Sequence, residues 1–185
     1  MKGFERKETR FSLCGLNCGL CVMRTGGYCP GCGGGPGNQS CALARCSLTH
    51  GGPEFCWECA EYPCHRYEGF DRCDSFLSHS TRQRDIARAR ELGLPGYLAE
   101  LDQRREILRQ LMEGWNDGRR KTLFHTAAVL LPLEELQGVM AALPQGDVLP
   151  IKERAKAAAA LLEEAAARRR GLSLKLRKRP EKEQK

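Results

Sequence analysis

The sequence predicts two parts: a small loop-rich lobe that is rich in cysteine, and an all-α helical lobe that ends in a short strand. All eleven cysteines fall within residues 14–73, where turn residues are frequent and hydrophobic periodicity is lacking. From residue 80 onward, apolar side chains recur at helical spacing instead. We therefore place the cysteine-rich lobe at residues 10–75 and the helical lobe at residues 78–180, and we expect residues 181–185 to form a disordered tail.

The first lobe follows a charged lead-in. Phe11-Ser12-Leu13 is expected to form a short strand or to cover the first cysteines, and Cys41 to Cys46 is expected to form one helical turn. A glycine-rich and cysteine-rich segment of this length buries too little apolar surface to fold alone. Disulfides or metal ions must therefore stabilise it.

Five helices are predicted in the second lobe, each bounded by a glycine, a proline or a turn. They cover residues 81–92, 95–115, 121–131, 132–143 and 151–170. Leu172, Leu174 and Leu176 then alternate with polar residues, which predicts the short C-terminal strand.

Three C-x2-C pairs indicate metal binding, because two intervening residues let a tight turn aim both sulfur atoms at one ion. These pairs, the odd number of cysteines and the lack of an apolar signal core favour metal over disulfides. Four thiolates per ion would fill two tetrahedral sites and leave two cysteines over, so we expect two or more Zn²⁺ ions. The ten candidate ligands are Cys14, Cys18, Cys21, Cys29, Cys32, Cys41, Cys46, Cys56, Cys59 and Cys64.

Cys29-Pro30-Gly31-Cys32-Gly33 is the strongest single motif. In knuckles of this kind, backbone amides after the first cysteine donate hydrogen bonds to its sulfur, and a glycine after the second cysteine supplies the positive φ that closes the turn. The sequence does not decide which cysteines share an ion. The two left over would bridge a binuclear site or bind a further ion with His50 or His65, although an ordinary loop side chain is the simpler interpretation of either histidine.

Zinc is the favoured metal, and an iron–sulfur cluster is the alternative. Neither ferredoxin spacing is present. Cys14, Cys18 and Cys21 match the spacing of the cluster ligands in radical-SAM enzymes. However, Leu20 stands where those enzymes usually have an aromatic residue, and the chain is too short for their barrel.

No catalytic residue is predicted. Cys73 is the natural candidate for a reactive thiol, because the neighbouring Arg72 would favour its thiolate, but a loop cysteine or an additional ligand is the simpler interpretation. The sequence has no spacing typical of a Ser-His-Asp or Cys-His group, and no phosphate-binding loop. We lean against an enzyme without excluding one.

The net charge of +7 lies wholly in the second part of the chain. Residues 1–80 contain eight basic and eight acidic residues, whereas residues 81–185 contain twenty-two and fifteen. Such an excess occurs in nucleic-acid-binding proteins, but thiolate-bound divalent ions would also make the first lobe anionic, and basic helices would then neutralise it. Arg119-Arg120-Lys121 at a helix start opposes the helix dipole, which predicts a nearby phosphate group or the thiolate cluster; a solvated turn is the alternative.

Several segments together resemble one protein family. They are CGLNCGLC, the CPGC knuckle, CWECAEYPC, NDGRRKTLFHTAAVLLPLEEL and the closing GLSLKLRKR. In this order, from Cys14 to about Arg179, they are similar to the cysteine-rich prokaryotic family known as domain of unknown function 3795, whose members are described as zinc-binding. The resemblance implies zinc binding but no reaction, substrate or partner. Family members often have a cysteine where this chain has His125, so His125 is an alternative ligand or a core residue.

We expect a cytoplasmic binding or adaptor module in which structural zinc fixes a surface made by the knuckles and the 116–121 turn. Its partner would be an unidentified protein. The first alternative is an iron–sulfur protein with a redox or maturation role. A nucleic-acid-binding zinc module ranks last, because zinc-finger spacing and interleaved aromatic residues are lacking. No stretch is apolar and long enough to span a membrane.

Overall fold

The structure is a computed structural model that describes residues 2–37, 41–144 and 149–179. Helices and irregular loops make up these residues, and no β-strand occurs among them. The α-helices are α1 (Val22–Thr25), α2 (Ala42–Thr49), α3 (Arg82–Gly114), α4 (Lys121–Leu130), α5 (Leu133–Ala142) and α6 (Ile151–Ala167). Single-turn 3₁₀ helices occur at Cys18–Leu20, Cys56–Glu58, His65–Tyr67 and Phe70–Arg72. The tail predicted for residues 181–185 lies outside the described residues.

The all-α character predicted for the second part of the chain is confirmed. The first two predicted helices form one element, α3, with a kink at Gly93, where φ is 71° and ψ is 153°. Gly93 adopts this left-handed φ without a Cβ clash, and Pro95, which has no N–H to donate, lies in the first turn after the kink. The boundaries of α4, α5 and α6 lie within a few residues of the predicted ones.

The predicted C-terminal strand is not confirmed. The segment that carries Leu172, Leu174 and Leu176 has no strand assignment, and one backbone hydrogen bond from Asp74 N to Arg177 O (2.9 Å) ties it to the rest of the chain. Of the three leucines only Leu174 is fully buried, so the alternation reflects one packed side chain and not a sheet. Phe11 and Leu13 are likewise buried without forming a strand, so they act as a cover.

One hydrophobic cluster extends through both predicted lobes. It includes Phe11, Leu13 and Leu20 from the cysteine-rich segment, together with Leu101 and Leu131 from the helical segment. Helix α3 is central, because it packs against α4, α5, α6 and the Cys18–Leu20 turn. The boundary between residues 75 and 78 remains a prediction, since the core itself is shared. No helix in the described ranges has the length and apolar character needed to cross a membrane.

Gly15 marks the closest approach of the cysteine-rich loop to α3. Its φ is +90°, and a Cβ at this position would lie 2.5 Å from Ile86 Cγ1 and 3.0 Å from the carbonyl oxygen of Arg82. Glycine is therefore required at this position for two reasons: the backbone is left-handed, and a side chain would overlap the helix. The contact fixes the distance between the first cysteines and α3.

We expect Gly15→Ala to lower the free energy of unfolding by about 3 kcal/mol, because a strained φ and an overlap with α3 combine. Gly171→Ala is the matched control: Gly171 also has a positive φ (+78°), but nothing lies within 4 Å of a Cβ there. The control should lose only about 1 kcal/mol. Urea unfolding of both variants measures the difference, and equal losses would show that the loop does not press on α3.

Candidate metal centre

All eleven cysteines are free thiols, and the local backbone folds around their sulfur atoms. The loop that carries Cys14 is closed by two hydrogen bonds from Leu16 and Ser12: Leu16 N donates to Ser12 Oγ (2.7 Å), and Ser12 N donates to Leu16 O (2.8 Å). Ser12 Oγ also lies 3.3 Å from Cys14 Sγ. A short polar segment thus orients the first thiol before any helix begins.

Four cysteines line one small cavity of about 30 Å³. They are Cys46 on α2, Cys56 and Cys59 at the two ends of a 3₁₀ turn, and Cys64. A cavity of this volume accommodates a single water-sized species. Apolar side chains complete most of its wall, among them Leu43, Pro53, Tyr62 and Tyr67.

The local sequence explains how two of these cysteines come together. The Glu58 carboxylate accepts hydrogen bonds from the backbone N–H groups of Glu54 (2.9 Å) and Phe55 (3.2 Å), which caps the Cys56–Glu58 turn. Cys59 N then donates to Cys56 O at 3.1 Å. The turn therefore places both sulfur-bearing residues of the C-W-E-C segment beside the same cavity.

A second set of thiols adjoins this cavity. Cys32 lies near enough to Cys14 and to Cys18 for its charge to raise the pKa of both thiols. Cys56 N donates to Leu13 O at 2.8 Å, so the backbone of the first set lies directly against the loop that carries Cys14. Cys14, Cys18 and Cys32 thus form a neighbouring group, and Cys56 lies where the two sets meet.

The Cys29–Cys32 segment has the knuckle geometry that its sequence predicts. Gly31 N lies 3.4 Å from Cys29 Sγ and donates to it, and Gly33 has a φ of +81°. The carbonyl oxygen of Cys21 accepts from Arg24 N (3.0 Å) and Thr25 N (2.9 Å), which begins α1 directly after this cysteine. The sulfur of Cys41 accepts a hydrogen bond from Ala44 N at 3.2 Å and caps α2. This helix has two turns, where the sequence predicted one.

These thiols do not form a closed coordination shell. Among residues 2–37, 41–144 and 149–179, no three Cys, His, Asp or Glu side chains converge tightly enough to hold an ion as they stand. Four cysteines, Cys46, Cys56, Cys59 and Cys64, line one cavity, but no three of them converge on a single centre.

Burial dominates the acid–base behaviour of the thiols. It raises the pKa of Cys14 to about 12 and that of Cys56 to about 11. It also raises the pKa of Cys18, Cys21 and Cys32. These thiols are therefore protonated at neutral pH when no cation is bound, and an ion that binds them must displace their protons.

Two buried arginines lie at the edges of the thiol groups. The Arg6 guanidinium donates from Nη1 to Cys32 O (3.3 Å) and to Phe11 O (3.1 Å), and its charge opposes the burial that raises the pKa of Cys32. The charge of Arg82 likewise opposes the burial that raises the pKa of Cys14. Several of their N–H groups have no hydrogen-bond partner: Arg6 Nη2 and Arg82 Nε, Nη1 and Nη2.

The remaining candidates occupy different surroundings. His50 lies at the rim of the four-cysteine cavity, with Nδ1 3.5 Å from Cys46 Sγ and Nε2 3.3 Å from the Glu61 carboxylate. His65 is exposed and does not line that cavity. His125 is buried in the helical core, where Nε2 meets Thr25 Oγ1 at 2.8 Å and Nδ1 meets Lys121 O at 2.8 Å. Both ring nitrogens of His125 are thus occupied, which favours the core interpretation. Cys73 is half-buried and lies outside that cavity.

The predicted basic turn lies elsewhere. Arg119 and Arg120 line an open groove with Lys152 and Lys156 of α6, and no cysteine contributes to that groove. Arg120 is also ion-paired with Asp117. Arg6 and Arg82 are the buried cations beside the thiols, and the charge distribution along the sequence did not single them out.

Sequence reasoning also missed a buried polar network that anchors the Cys14–Cys18 loop. Asn17 Nδ2 donates to Asp85 Oδ2 (2.8 Å), and Tyr97 Oη donates to Asn17 Oδ1 (2.9 Å). All three side chains are buried. A signal was present, because an asparagine inside a loop between two candidate ligands is placed to hydrogen-bond a neighbouring element. Its partners on α3 are too distant in sequence to be inferred.

We expect Asn17→Ala to lower the free energy of unfolding by about 2–4 kcal/mol, because the buried Oδ2 of Asp85 and the buried hydroxyl of Tyr97 each lose the hydrogen bond to Asn17. Asn116→Ala is the control, since Asn116 Oδ1 accepts only one exposed bond, from Gly118 N (3.0 Å). That variant should lose less than about 1 kcal/mol. Chemical denaturation of both proteins under the same conditions makes the comparison, and a loss for Asn17→Ala no larger than that of the control would contradict the anchoring role.

Comparisons of the chain with family models, with curated proteins and with solved structures find no match. The resemblance to domain of unknown function 3795 therefore remains a prediction.

Proposed function

We propose that this chain is a metal-binding protein in which zinc ions, bound by cysteine thiolates, stabilise the cysteine-rich segment. One observation carries the proposal: Cys46, Cys56, Cys59 and Cys64 line a single cavity of about 30 Å³. Four thiols around a space for one ion are the ligand set of a structural tetrahedral zinc site. When bound, zinc supplies folding free energy that the loops of this segment lack.

The backbone donors around the other sulfur atoms support the same function. The Cys29 sulfur accepts from the N–H of Gly31 (3.4 Å), and the Cys41 sulfur accepts from the N–H of Ala44 (3.2 Å). A neutral thiol is a weak acceptor, whereas a thiolate is a strong one, so such donors stabilise the charged form that metals require. The fold thus offers donors at two cysteines outside the four-cysteine cavity as well as the cavity itself.

The neighbouring group of Cys14, Cys18 and Cys32 supports a second ion. Cys41 lies near enough to Cys32 to raise the pKa of that thiol, which makes it the natural fourth ligand. Cys21 and Cys29 are then the two left over, and the charge of Cys29 raises the pKa of Cys21. We therefore assign eight of the ten candidate ligands to two sites.

A groove beside the first knuckle supports a role as a binding or adaptor module. Its volume is about 580 Å³, and it is lined by Gly19, Arg24 and Thr25 from the cysteine-rich segment and by residues of α3 and the start of α4. Lys121, the last residue of the predicted basic turn, also lines it. The groove therefore joins the two regions that the sequence predicts to form one surface, and its mixed charges suit a polar protein partner. An unidentified protein partner and a cytoplasmic location belong to this proposal.

We expect protein purified without oxygen to contain two or more zinc ions per chain. Cys59→Ser should remove about one ion, because Cys59 lines the four-cysteine cavity, whereas Cys73→Ser should keep the full content, because Cys73 does not. Elemental analysis of the three proteins makes the test. Iron with acid-labile sulfide would establish the iron–sulfur alternative instead. Metal-free protein with its thiols paired as disulfides would overturn the proposal.

We also expect a zinc chelator to unfold the cysteine-rich segment first. Metal binding of this kind contributes about 10 kcal/mol per site in small peptides, which is more than loops without regular structure provide. Hydrogen exchange before and after chelation should show faster exchange of the amides around residues 14–73. Uniform protection after complete metal removal would show that metal does not stabilise this segment.

A further inference from the structure

Arg82 is the most deeply buried charged side chain among the described residues. Its relative exposure is 0 %, although it lies at the very beginning of α3. The guanidinium carbon lies 4.2 Å from the centre of the Tyr67 ring and 3.9 Å from the centre of the Phe70 ring. Both rings face the cation closely enough for cation–π attraction.

The hydrogen bonding of Arg82 is incomplete. Nη2 forms an ion pair with the partly exposed Asp71 at 3.1 Å, but the geometry does not make a hydrogen bond, and Nε, Nη1 and Nη2 all lack partners. A buried guanidinium usually binds a carboxylate through two parallel hydrogen bonds, so this arrangement leaves much of its desolvation uncompensated. Such a residue is explained if a further negative charge lies nearby in the functional state.

The nearest source of that charge is the thiol group. The Tyr67 ring that stacks on Arg82 also lines the four-cysteine cavity, and its hydroxyl donates to Cys14 O at 3.5 Å. Gly15, next to Cys14, is in close contact with the first turn of α3 through the Arg82 carbonyl. Arg82 therefore lies beside the place where the two sets of thiols meet.

We propose that Arg82 is the buried counter-charge of the metal–thiolate centre, a positioning residue that stabilises the centre in its anionic, metal-bound state. The inference rests on the proposed function and deepens it. A divalent ion held by four thiolates has two excess negative charges, and a cation fixed between two rings offsets them without moving when the ion binds. Arg6, which donates to Cys32 O, supplies the corresponding charge from the other side.

Arg104 provides the contrast. It is half-buried, and its Nη1 donates to Ala128 O (3.0 Å) and to Leu131 O (2.6 Å), the carbonyl groups at the end of α4. The function of Arg104 is thus to complete a helix terminus. The two arginines have the same side chain and lie on the same helix, so their variants separate a charge effect on the metal from a loss of stability.

The experiment measures zinc affinity by competition with a chromophoric chelator in Arg82→Met, Arg82→Gln, Arg82→Lys and Arg104→Met. We expect both neutral variants at position 82 to bind zinc about 10- to 100-fold more weakly than the wild type, because an opposite charge at short range favours thiolates by that order. Arg82→Lys keeps the charge and should recover most of the affinity. Arg104→Met should show only the loss that a less stable helical core causes. The glutamine variant keeps the comparison valid if the methionine variant does not fold.

The outcomes separate the two proposals. A wild-type protein without zinc would overturn the proposed function itself. A wild type that binds zinc, with Arg82→Met and Arg82→Gln no weaker than Arg104→Met, would overturn the role of Arg82 alone. The same conclusion would follow if Arg82→Lys were as weak as the neutral variants, because the charge would then not matter.

Discussion

The contact between the Cys14–Cys18 loop and the first turns of α3 is the constraint on which the remaining arrangement depends. Gly15 lets the backbone approach Ile86, and Asn17 is held between Asp85 and Tyr97. Loops without regular structure have many conformations, and a buried polar network selects one of them because any other would leave its groups unsatisfied. The first cysteines are thus placed relative to a rigid helix and not merely relative to one another.

Charge balance is the second consequence of that placement. Packing the loop on α3 buries the thiol of Cys14. It also buries the guanidinium of Arg82, which lies nearby in space. Each is unfavourable when buried alone: burial favours protonated thiols, and a buried cation lacks solvation. In the proposed function they would form, together with a bound divalent ion, an assembly in which the excess charges offset one another. The proposed metal function therefore accounts for two features together: the buried thiols of the loop and the buried arginine of the helix.

The sequence predicted most of the helices in the second part of the chain. For the first part it predicted a cysteine-rich and loop-rich segment, but not which cysteines lie together. Local signals act within one turn of the chain: Pro132 marks the start of α5, and Gly93 with Pro95 marks a kink inside α3 where two separate helices were predicted. The knuckle geometry at Cys29 and Gly33 was also local, and it agrees with the structure. The C-terminal strand prediction was wrong because alternation alone does not supply a neighbouring strand, and the bond from Asp74 N to Arg177 O does not make a sheet.

What the sequence could not supply was long-range pairing. The grouping of Cys46 with Cys56, Cys59 and Cys64 depends on how α2 packs beside the 3₁₀ turns, and no spacing encodes that. Arg82 is one of many arginines in the chain, and only burial distinguishes it from the others. Conversely, the three consecutive cations at residues 119–121 were conspicuous in sequence, yet Arg119 and Arg120 lie against α6. A run of charged residues in the sequence indicates an exposed surface. A single charge that would stabilise a metal centre is recognised only from its burial and its neighbours in the structure.

The position of the groove beside α1 follows from the same packing. Arg24, which lines it, lies three residues after Cys21, and the N–H of Arg24 donates to Cys21 O at 3.0 Å. On the opposite wall, Asp102 of α3 forms an ion pair with Arg10 at 2.7 Å, which ties the lead-in segment to the helix. One wall thus depends on the state of the cysteine-rich loops, and the other is a rigid helix. A partner that fills such a groove binds only when the loops are folded, so in the proposed function metal occupancy determines whether the partner is bound.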